Sequence, residues 1–521
     1  MIYWNKSSIF ATFIALIIIA PIFAIFYSAL LGDTSLWPHL FSTVLPRYIS
    51  NTVILMIGVG ILSSILGVST AWVVTRYNFF GRSFFEWALL LPAAVPAYII
   101  AYTYTDFLEY AGPVQKIIRE FFNFQNAEEY WFPEIRSMEG AIFVMSFVLY
   151  PYIYMTTRAS FLTVPISFFQ TSLIYGRNTF FSVALPLARP GIIAGLALVL
   201  METVSDFGTV EYFALETLTL GVFNVWLGMN SLSGASQISS VLFVFVVVLL
   251  TIEYLARRNQ RFHEKSSGQN MVESKSSSRL HKIICFLICL TPIVIGFVIP
   301  VSVLLNFIFS GFSIIDFKQI FYTSFFSITL AFTGAFFVML VSIFLILISN
   351  YKSNNLQKSI IFLASCGYAL PGTILAVGMV IFLGWINEYL HFHLSYFAGG
   401  FIVLIFAYIV RFLAVGNASI RSGILKIHPN AMDASLTMGA GFFRGVKIVI
   451  MPLILSNILI GGILVFVDIL KELPITLLLR PFNFETLATY VYQYASDELL
   501  QESSFAALII VVVGLGPIIF L

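Results

Sequence analysis

The chain has 521 residues, of which 59% are hydrophobic and only 10% are charged. Soluble domains usually carry about 25% charged residues, so this composition excludes an ordinary soluble protein. The 27 basic and 25 acidic residues nearly cancel, so the net charge of +2 indicates little about partners. The sequence lacks the alternating pattern of an outer-membrane barrel, and we therefore expect the membrane to be crossed by helices.

Twelve stretches are apolar and long enough to cross a bilayer, which takes roughly 20 residues. In chain order they are 8–30, 52–74, 84–105, 141–160, 190–207, 238–256, 283–309, 323–349, 359–386, 398–417, 452–470 and 505–521. The first is longer than the core of a cleaved signal, so we expect it to be retained. The fold class that follows is an all-α integral membrane protein with about 12 transmembrane helices.

The distribution of basic residues predicts the orientation of these spans. The segment 257–282 is polar and Ser-rich, and it holds seven Lys and Arg against two acids. Because short basic loops stay in the cytosol, we interpret it as a flexible cytosolic linker. Counting outward from it places both termini, and also Arg158 and Arg411, on the cytosolic side. The loop 106–139, with seven acids and three bases, falls on the opposite side.

The linker divides the chain into two halves of six spans, 1–256 and 283–521, which show signs of internal duplication. The segment "LPLARPGIIAGLALVLMETVSDFG" lies over "MPLILSNILIGGILVFVDILKELP" when the two prolines are aligned. The residues paired in this way are Pro186 with Pro452, Glu202 with Asp468, and Asp206 with Glu472, while Gly195 falls near Gly461. Pro96 is paired with Pro371 in a second matching segment. Both halves enter the membrane in the same direction, so we expect parallel repeats, as in transporters built from two halves.

Four acids in these aligned segments are candidates for a translocation path or gate. They are Glu202 and Asp206 in the first half, and Asp468 and Glu472 in the second. Acids inside apolar helices are costly, and each pair is spaced so that both carboxylates face one way. Oxygen ligands at a pore mouth suit a hard cation. The alternative is that these acids serve a gate or helix packing, with Glu472 pairing to Lys471.

A short segment of small residues, "DASLTMG" at 433–439, lies in a cytosolic loop expected at about 418–451. We expect a short helix there, with Asn430 at its cap, Asp433 in its first turn and Gly439 at its end. Its small side chains leave a low surface that a partner can approach closely. The matching loop of the first half is expected at about 161–189.

This segment resembles the cytoplasmic signature loop of binding-protein-dependent ABC transporter permeases, whose fold is that of type I ABC importers. The matching residues are Asp433, Ala434, Ser435, Gly439 and Pro452. The resemblance implies a coupling helix that docks into a separate ATPase subunit. The corresponding residues of the first-half loop are Gln170, Thr171, Ser172, Gly176 and Pro186. Gly176 lies ten residues before its proline, against thirteen in the second copy, so either three residues are deleted or Leu173 holds the glycine's place.

Two longer blocks, 201–229 and 465–498, resemble the fused two-half permeases of bacterial ferric-iron ABC importers. The resemblance implies a multi-pass inner-membrane protein that receives iron(III) from a periplasmic binding protein and works with two copies of an ATPase. Permeases for thiamine, sulfate, molybdate or polyamines share this fold and remain alternatives, as does an ion-gradient secondary transporter.

The chain shows no sequence signature of catalysis. No Gly-Lys pair occurs, which excludes the phosphate-binding loop of ATPases. We therefore expect a protein that is not an enzyme and binds no cofactor, with ATP used by its partner subunit. Any metal-ligating residues stay unassigned.

Overall fold

The computed structural model describes residues 6–258, 278–351, 353–390, 400–428 and 430–520. Throughout these ranges the regular secondary structure is helical, without a β-strand. The greater part of the linker expected at 257–282, namely 259–277, lies outside the described residues.

Within residues 6–258 the structure contains twelve α-helices. They are α1 Lys6–Leu31, α2 Trp37–Ser42, α3 Leu45–Arg76, α4 Arg82–Ala88, α5 Ala97–Leu108, α6 Pro113–Phe122, α7 Met138–Leu162, α8 Ile166–Ile174, α9 Leu185–Ser205, α10 Gly208–Tyr212, α11 Leu218–Phe223 and α12 Leu232–Arg258.

The second half repeats this order closely. Its helices are α13 Arg279–Ile293, α14 Ile299–Ser310, α15 Phe317–Tyr351, α16 Asn355–Ala364, α17 Gly372–Leu390, α18 Phe401–Ile424, α19 Ala431–Thr437, α20 Phe442–Gly445, α21 Met451–Leu470, α22 Pro474–Leu479, α23 Leu487–Ser496 and α24 Leu500–Phe520.

Eleven helices of the described residues are long and apolar enough to cross a membrane, and a bent pair would make twelve. The fold class expected from the sequence is thus confirmed. The third expected span, 84–105, is wrong as a single straight helix, because the chain bends by 88° between Arg82–Ala94 and Ala97–Phe122. Pro96 explains the break, since it cannot donate a backbone N–H and it holds Val95 in an extended conformation.

The second half is broken at the matching proline. Helix α16 continues into a 3₁₀ turn at Ser365–Ala369, and α17 begins directly after Pro371. The expected span 359–386 therefore contains a break, and the helix that can cross the membrane starts at Gly372. The alignment of Pro96 with Pro371 marks the same interruption in both halves.

The described residues fall into two compact units, and each unit draws on both halves of the sequence. Unit 1 comprises the described parts of Met1–Pro38, Val222–Ser240 and Phe317–Tyr490. Unit 2 comprises the described parts of His39–Gly221, Val241–Asp316 and Val491–Leu521. The first helix of each half thus belongs to the unit formed mainly by the other half.

Close contacts inside each unit hold these exchanged helices. In unit 1, α1 packs on α17, and a Cβ added to Gly378 would lie 2.5 Å from the carbonyl oxygen of Pro21. In unit 2, the hydroxyl of Tyr104 donates a hydrogen bond of 2.7 Å to the carbonyl of Ile295, just before α14. Backbone approach and hydrogen bonding replace the hydrophobic effect as the source of helix association in lipid.

Three long helices form the centre of each unit, α3, α7 and α9 in unit 2 and α15, α18 and α21 in unit 1. A glycine allows a close helix crossing at the same position of both units, between α9 and α7 in unit 2 and between α21 and α18 in unit 1. A Cβ added to Gly195 would lie 2.4 Å from Thr156 Oγ1, and one added to Gly461 would lie 2.7 Å from the side chain of Ser419. The duplication expected from the sequence is therefore visible in the packing.

Candidate coupling and pathway sites

The segment 433–439 forms the expected short helix, α19, which runs from Ala431 to Thr437. Asn430 occupies the N-cap position, but its side chain makes no capping hydrogen bond, so the expected side-chain cap is wrong. Gly439 ends the helix with a φ of +85°, a conformation that favours glycine. Its N–H donates to Leu436, and the N–H of Ala440 donates to Ser435. This is the Schellman type of helix end.

The first-half helix α8 ends in the same way. Gly176 has a φ of +64°, its N–H donates to the carbonyl of Leu173, and the N–H of Arg177 donates to that of Ser172. Gly176 therefore takes the place of Gly439, and Leu173 does not.

The three missing residues lie between the glycine and the proline. The long helical run that carries Pro186 spans 26 residues from Phe180, against 29 residues from Phe442 for the run that carries Pro452. A one-turn helix, α20, precedes the π-helical turn in the second half only. Pro186 and Pro452 lie at the first or second position of the α-helix that follows each π-helical turn.

Matching side chains anchor both short helices to their units. Ser172 and Ser435 are buried, and so are Phe169 and Met432, which lie one turn earlier. Met432 packs into a cluster formed by α15, α18 and α21. Phe169 packs against aromatic and cationic groups at the end of α3, with Trp72 at 6.2 Å between ring centroids and the guanidinium of Arg76 at 5.2 Å.

The opposite face of both helices is exposed. Gln170 and Thr171 in the first helix, and Asp433 and Ala434 in the second, reach solvent. Large apolar side chains follow at matching positions before each glycine: Leu173 with Leu436, and Tyr175 with Met438, the last two being 76% and 86% exposed. Apolar groups presented on a short anchored helix are typical of a docking surface.

Two of the four candidate acids cap a short helix. Asp206 Oδ1 accepts hydrogen bonds from the N–H of Thr209 at 2.8 Å and of Val210 at 3.3 Å, at the start of α10. Glu472 accepts from the N–H of Ile475 at 3.2 Å and of Thr476 at 3.1 Å, at the start of α22. The donors lie three and four residues after the acid in both cases. These carboxylates stabilise the turn that follows each long helix.

The other two acids lie one turn earlier and are half-buried. Lys471 Nζ contacts Asp468 Oδ1 at 2.9 Å. The structure thus joins Lys471 to Asp468, whereas its expected partner Glu472 bonds to backbone and to Thr476. Glu202 lies on the last turn of α9, and its carbonyl accepts the N–H of Asp206.

Arg411 is a site residue that the sequence interpretation missed. It lies in the middle of α18 instead of at the cytosolic edge, because that helix extends to Ile424. A Cβ added to Gly372 would lie 2.8 Å from both Arg411 Nη1 and Glu472 Oε1, so the two charged groups meet beside this glycine. Tyr408 completes the cluster, with its hydroxyl 2.6 Å from Thr476 Oγ1. The sequence signal that could have identified it is an arginine that directly follows ten apolar residues, 401–410.

No group of three or more His, Cys, Asp or Glu side chains that could hold a metal ion occurs among the residues that the structure describes. Glu202 and Asp206 belong to unit 2, and Asp468 and Glu472 to unit 1.

Comparison with known proteins decides the family. Residues 63–265 match the model of the binding-protein-dependent transport system inner membrane component. The chain thus carries a permease domain of this family. The match begins within α3. It includes α8, α9 and α10, together with Asp206, which caps α10. The family's dependence on a binding protein distinguishes it from ion-gradient carriers.

Three relatives show how far the similarity extends. The chain is 24% identical over 492 residues to the Fe(3+)-transport system permease protein FbpB 2 of Haemophilus influenzae, covering 92% of this permease and 90% of the relative. It is 21% identical to the ferric transport system permease protein FbpB of Actinobacillus pleuropneumoniae, covering 96% and 75%. The molybdenum transport system permease protein ModB of Haemophilus influenzae is 26% identical, covering 38% of this permease and 86% of the relative.

Proposed function

We propose that this permease is the transmembrane subunit of an ATP-driven importer that carries ferric iron, delivered by a periplasmic binding protein, across the bacterial inner membrane. The observation that supports the substrate most is the similarity to an Fe(3+)-transport permease over nine-tenths of both chains. ATP hydrolysis belongs to a separate subunit, present as two copies, and both termini lie in the cytosol.

The docking of that ATPase is assigned to α8 and α19. Both helices have a left-handed glycine at their end, a buried serine and a buried anchor, and both expose matching apolar side chains. Two identical ATPase subunits need two equivalent surfaces, and these helices supply one in each repeat. The coupling residues are those singled out from the sequence: Gln170, Thr171, Ser172, Gly176, Asp433, Ala434, Ser435 and Gly439, with Pro186 and Pro452 at the start of the helices that follow.

The acids are assigned to the gate. Asp206 and Glu472 fix the turn at which each long helix ends, and Glu202 and Asp468 precede them by one turn. A carboxylate whose oxygens are already occupied by backbone donors is a poor ligand for a passing ion. These residues therefore shape the outer end of the path, and they need not bind iron directly.

The test of docking is copurification of the ATPase with variants of the exposed apolar side chains. Tyr175→Glu and Met438→Glu place a charge on the docking surface and are expected to abolish copurification. Phe482→Glu is the control, since Phe482 is fully exposed and follows α22 in the chain, outside both short helices. Copurification that survives in the double variant would contradict the assignment.

The test of substrate is uptake into proteoliposomes that contain the whole importer, with labelled ferric iron, molybdate and sulfate compared side by side. Uptake of iron alone, lost in Gly439→Arg, is the expected result. Uptake of molybdate in preference to iron would replace the proposed substrate. A membrane-impermeant thiol reagent directed at Thr437→Cys tests the orientation, which requires labelling from the cytosolic side.

A further inference from the structure

Residues 109–137, here called the insert, connect α5 to α7 and are not used by the proposed transport function. The insert contains α6 and much of the acidic loop noted in the sequence. In the orientation proposed above it faces the periplasm. The insert, the end of α5 and Glu498 all belong to unit 2.

A hydrogen-bond network gives the insert a fixed frame. Arg119 donates to the carbonyl of Tyr110 at 2.7 Å and to the hydroxyl of Tyr130 at 3.2 Å, and its guanidinium lies 4.1 Å from the centre of the Tyr110 ring. The Tyr130 hydroxyl donates to Gln115 Oε1 at 2.6 Å, and Gln115 in turn donates to the carbonyl of Leu108. The insert is thereby tied to the end of α5.

This frame borders a half-open cavity of about 470 Å³. Its volume is in the range of small-molecule sites, roughly 300–1,000 Å³. The wall combines aromatic rings with a few charged groups, chiefly Glu109, Tyr110, Tyr130, Trp131, Glu134 and Arg136. Trp131 is 85% exposed, so its ring is accessible to a ligand in the cavity.

The charges of the wall select the class of ligand. Arg136 lies 2.7 Å from Glu109 Oε1 and 3.3 Å from Glu498 Oε1, so its positive charge is already paired. Glu134 forms no ion pair within the part of the chain that the structure describes, which leaves one carboxylate for a ligand. A metal ion would need further carboxylates, and the described residues offer no group of three. An anion would meet the acidic wall, so a cation with a single charge is favoured.

We propose that the insert cavity binds an organic cation, a guanidinium or alkylammonium group, paired with Glu134 and placed against the ring of Trp131. Cations of this kind combine a carboxylate partner with attraction to an aromatic face. The same chemistry has two sources: a free small cation, or a basic side chain of the delivery protein. Only the second source, a side chain of the delivery protein, rests on the proposed function.

The test uses the full permease in lipid nanodiscs, without ATP or iron, so its outcome is separate from that of transport. The probe is N-acetylarginine amide, with the uncharged N-acetylcitrulline amide as its matched control. Binding is followed by tryptophan fluorescence, and Trp131→Phe identifies the responding side chain. A saturable change with the arginine probe only, lost in Trp131→Phe, is expected.

Glu134→Gln is expected to weaken binding of the arginine probe about tenfold, because it removes the charge but keeps the shape. Glu128→Gln changes the same charge on an exposed turn outside the cavity and is expected to leave binding unchanged. The proposal is overturned if both probes bind alike, if neither binds, or if the two glutamate variants lose affinity equally.

A competition experiment distinguishes the two sources. If the arginine probe displaces the purified delivery protein from the permease, the natural cation is a side chain of that protein. If both bind together, the cavity serves a free small cation. Either result retains the assigned ligand class.

Discussion

Gly195 on α9 lies directly against Thr156 on α7, where a methyl group would come within 2.4 Å of Thr156 Oγ1 and 2.7 Å of the Cα of Ile153. The matching position, Gly461, meets only side-chain atoms, those of Ser419 and Met339. The hydroxyl of Ser419 can rotate and Met339 can repack, whereas Ile153 Cα and the Tyr152 carbonyl near Gly195 are fixed by the backbone of α7. We therefore expect Gly195→Ala to destabilise the protein by about 1–3 kcal/mol and Gly461→Ala by less. Thermal unfolding of the purified permease in detergent measures the difference; equal losses would show that the two crossings are equally tight.

The close approach of Arg411 and Glu472 to Gly372 predicts a second sensitive glycine. A Cβ at Gly372 would lie 2.8 Å from Arg411 Nη1 and from Glu472 Oε1, so Gly372→Ala is expected to displace both side chains. Overpacking of this kind typically costs about 1–3 kcal/mol. Gly384→Ala is the control, because Gly384 lies on the same helix with open space around it. The prediction fails if both variants unfold at the same temperature.

Asp206 predicts a dependence of stability on pH. Burial raises the pKa of its carboxyl from the ordinary 3.8 to about 6, against the opposing effect of its hydrogen bonds to Thr209 and Val210. Because the pKa is higher in the folded state, the stabilisation from this group is complete below about pH 4 and is lost as the pH rises through 6. Asp206→Asn keeps the capping oxygen but cannot ionise.

The measurement is the unfolding temperature of wild type and Asp206→Asn at pH 5 and pH 7.5. The wild type is expected to lose more stability than the variant between these two values. Parallel curves would mean that Asp206 does not titrate in this interval.

Substitution of Arg136 is expected to change local hydrogen exchange without changing the overall stability of the protein. It contacts Glu109 at 2.7 Å and Glu498 at 3.3 Å, and its guanidinium lies 5.2 Å from the Tyr212 ring centre. Such exposed pairs are each worth about 0–1 kcal/mol. Arg136→Gln is therefore expected to speed amide hydrogen exchange at the start of α24 while the unfolding temperature stays constant. Lys116→Gln, which removes an exposed pair with Glu120, should change neither quantity.

Much of the architecture could be predicted because lipid imposes a strong constraint on composition. Apolar length located the spans, and the alignment of Pro186 with Pro452 located the duplication. The glycines at the ends of α8 and α19 could also be found, since a left-handed cap selects glycine from the sequence alone. The alignment of the first loop could not be predicted, because the sequence allowed either Gly176 or Leu173 to take the position of Gly439. The φ of Gly176 distinguishes them.

Two features could not be predicted because they depend on tertiary contacts. Arg411 was placed at the membrane edge since a charge usually ends a span, but its partner Glu472 lies far along the chain. The exchange of first helices between units likewise leaves no local pattern. Helix α1 is apolar on nearly all sides, so its sequence does not reveal which helix covers which face.

The exchange has a consequence for biogenesis. The hydroxyl of Ser8 in α1 donates to Gln357, a partner 349 residues away. The ribosome delivers α1 to the bilayer first, long before α16 and α17 exist, so α1 waits in the lipid until most of the polypeptide has been threaded. At about 5–20 residues per second, that interval lasts tens of seconds. Quality-control proteases thus have a long window in which α1 lacks its contacts with α16 and α17, although α12 is made earlier and already contacts its end.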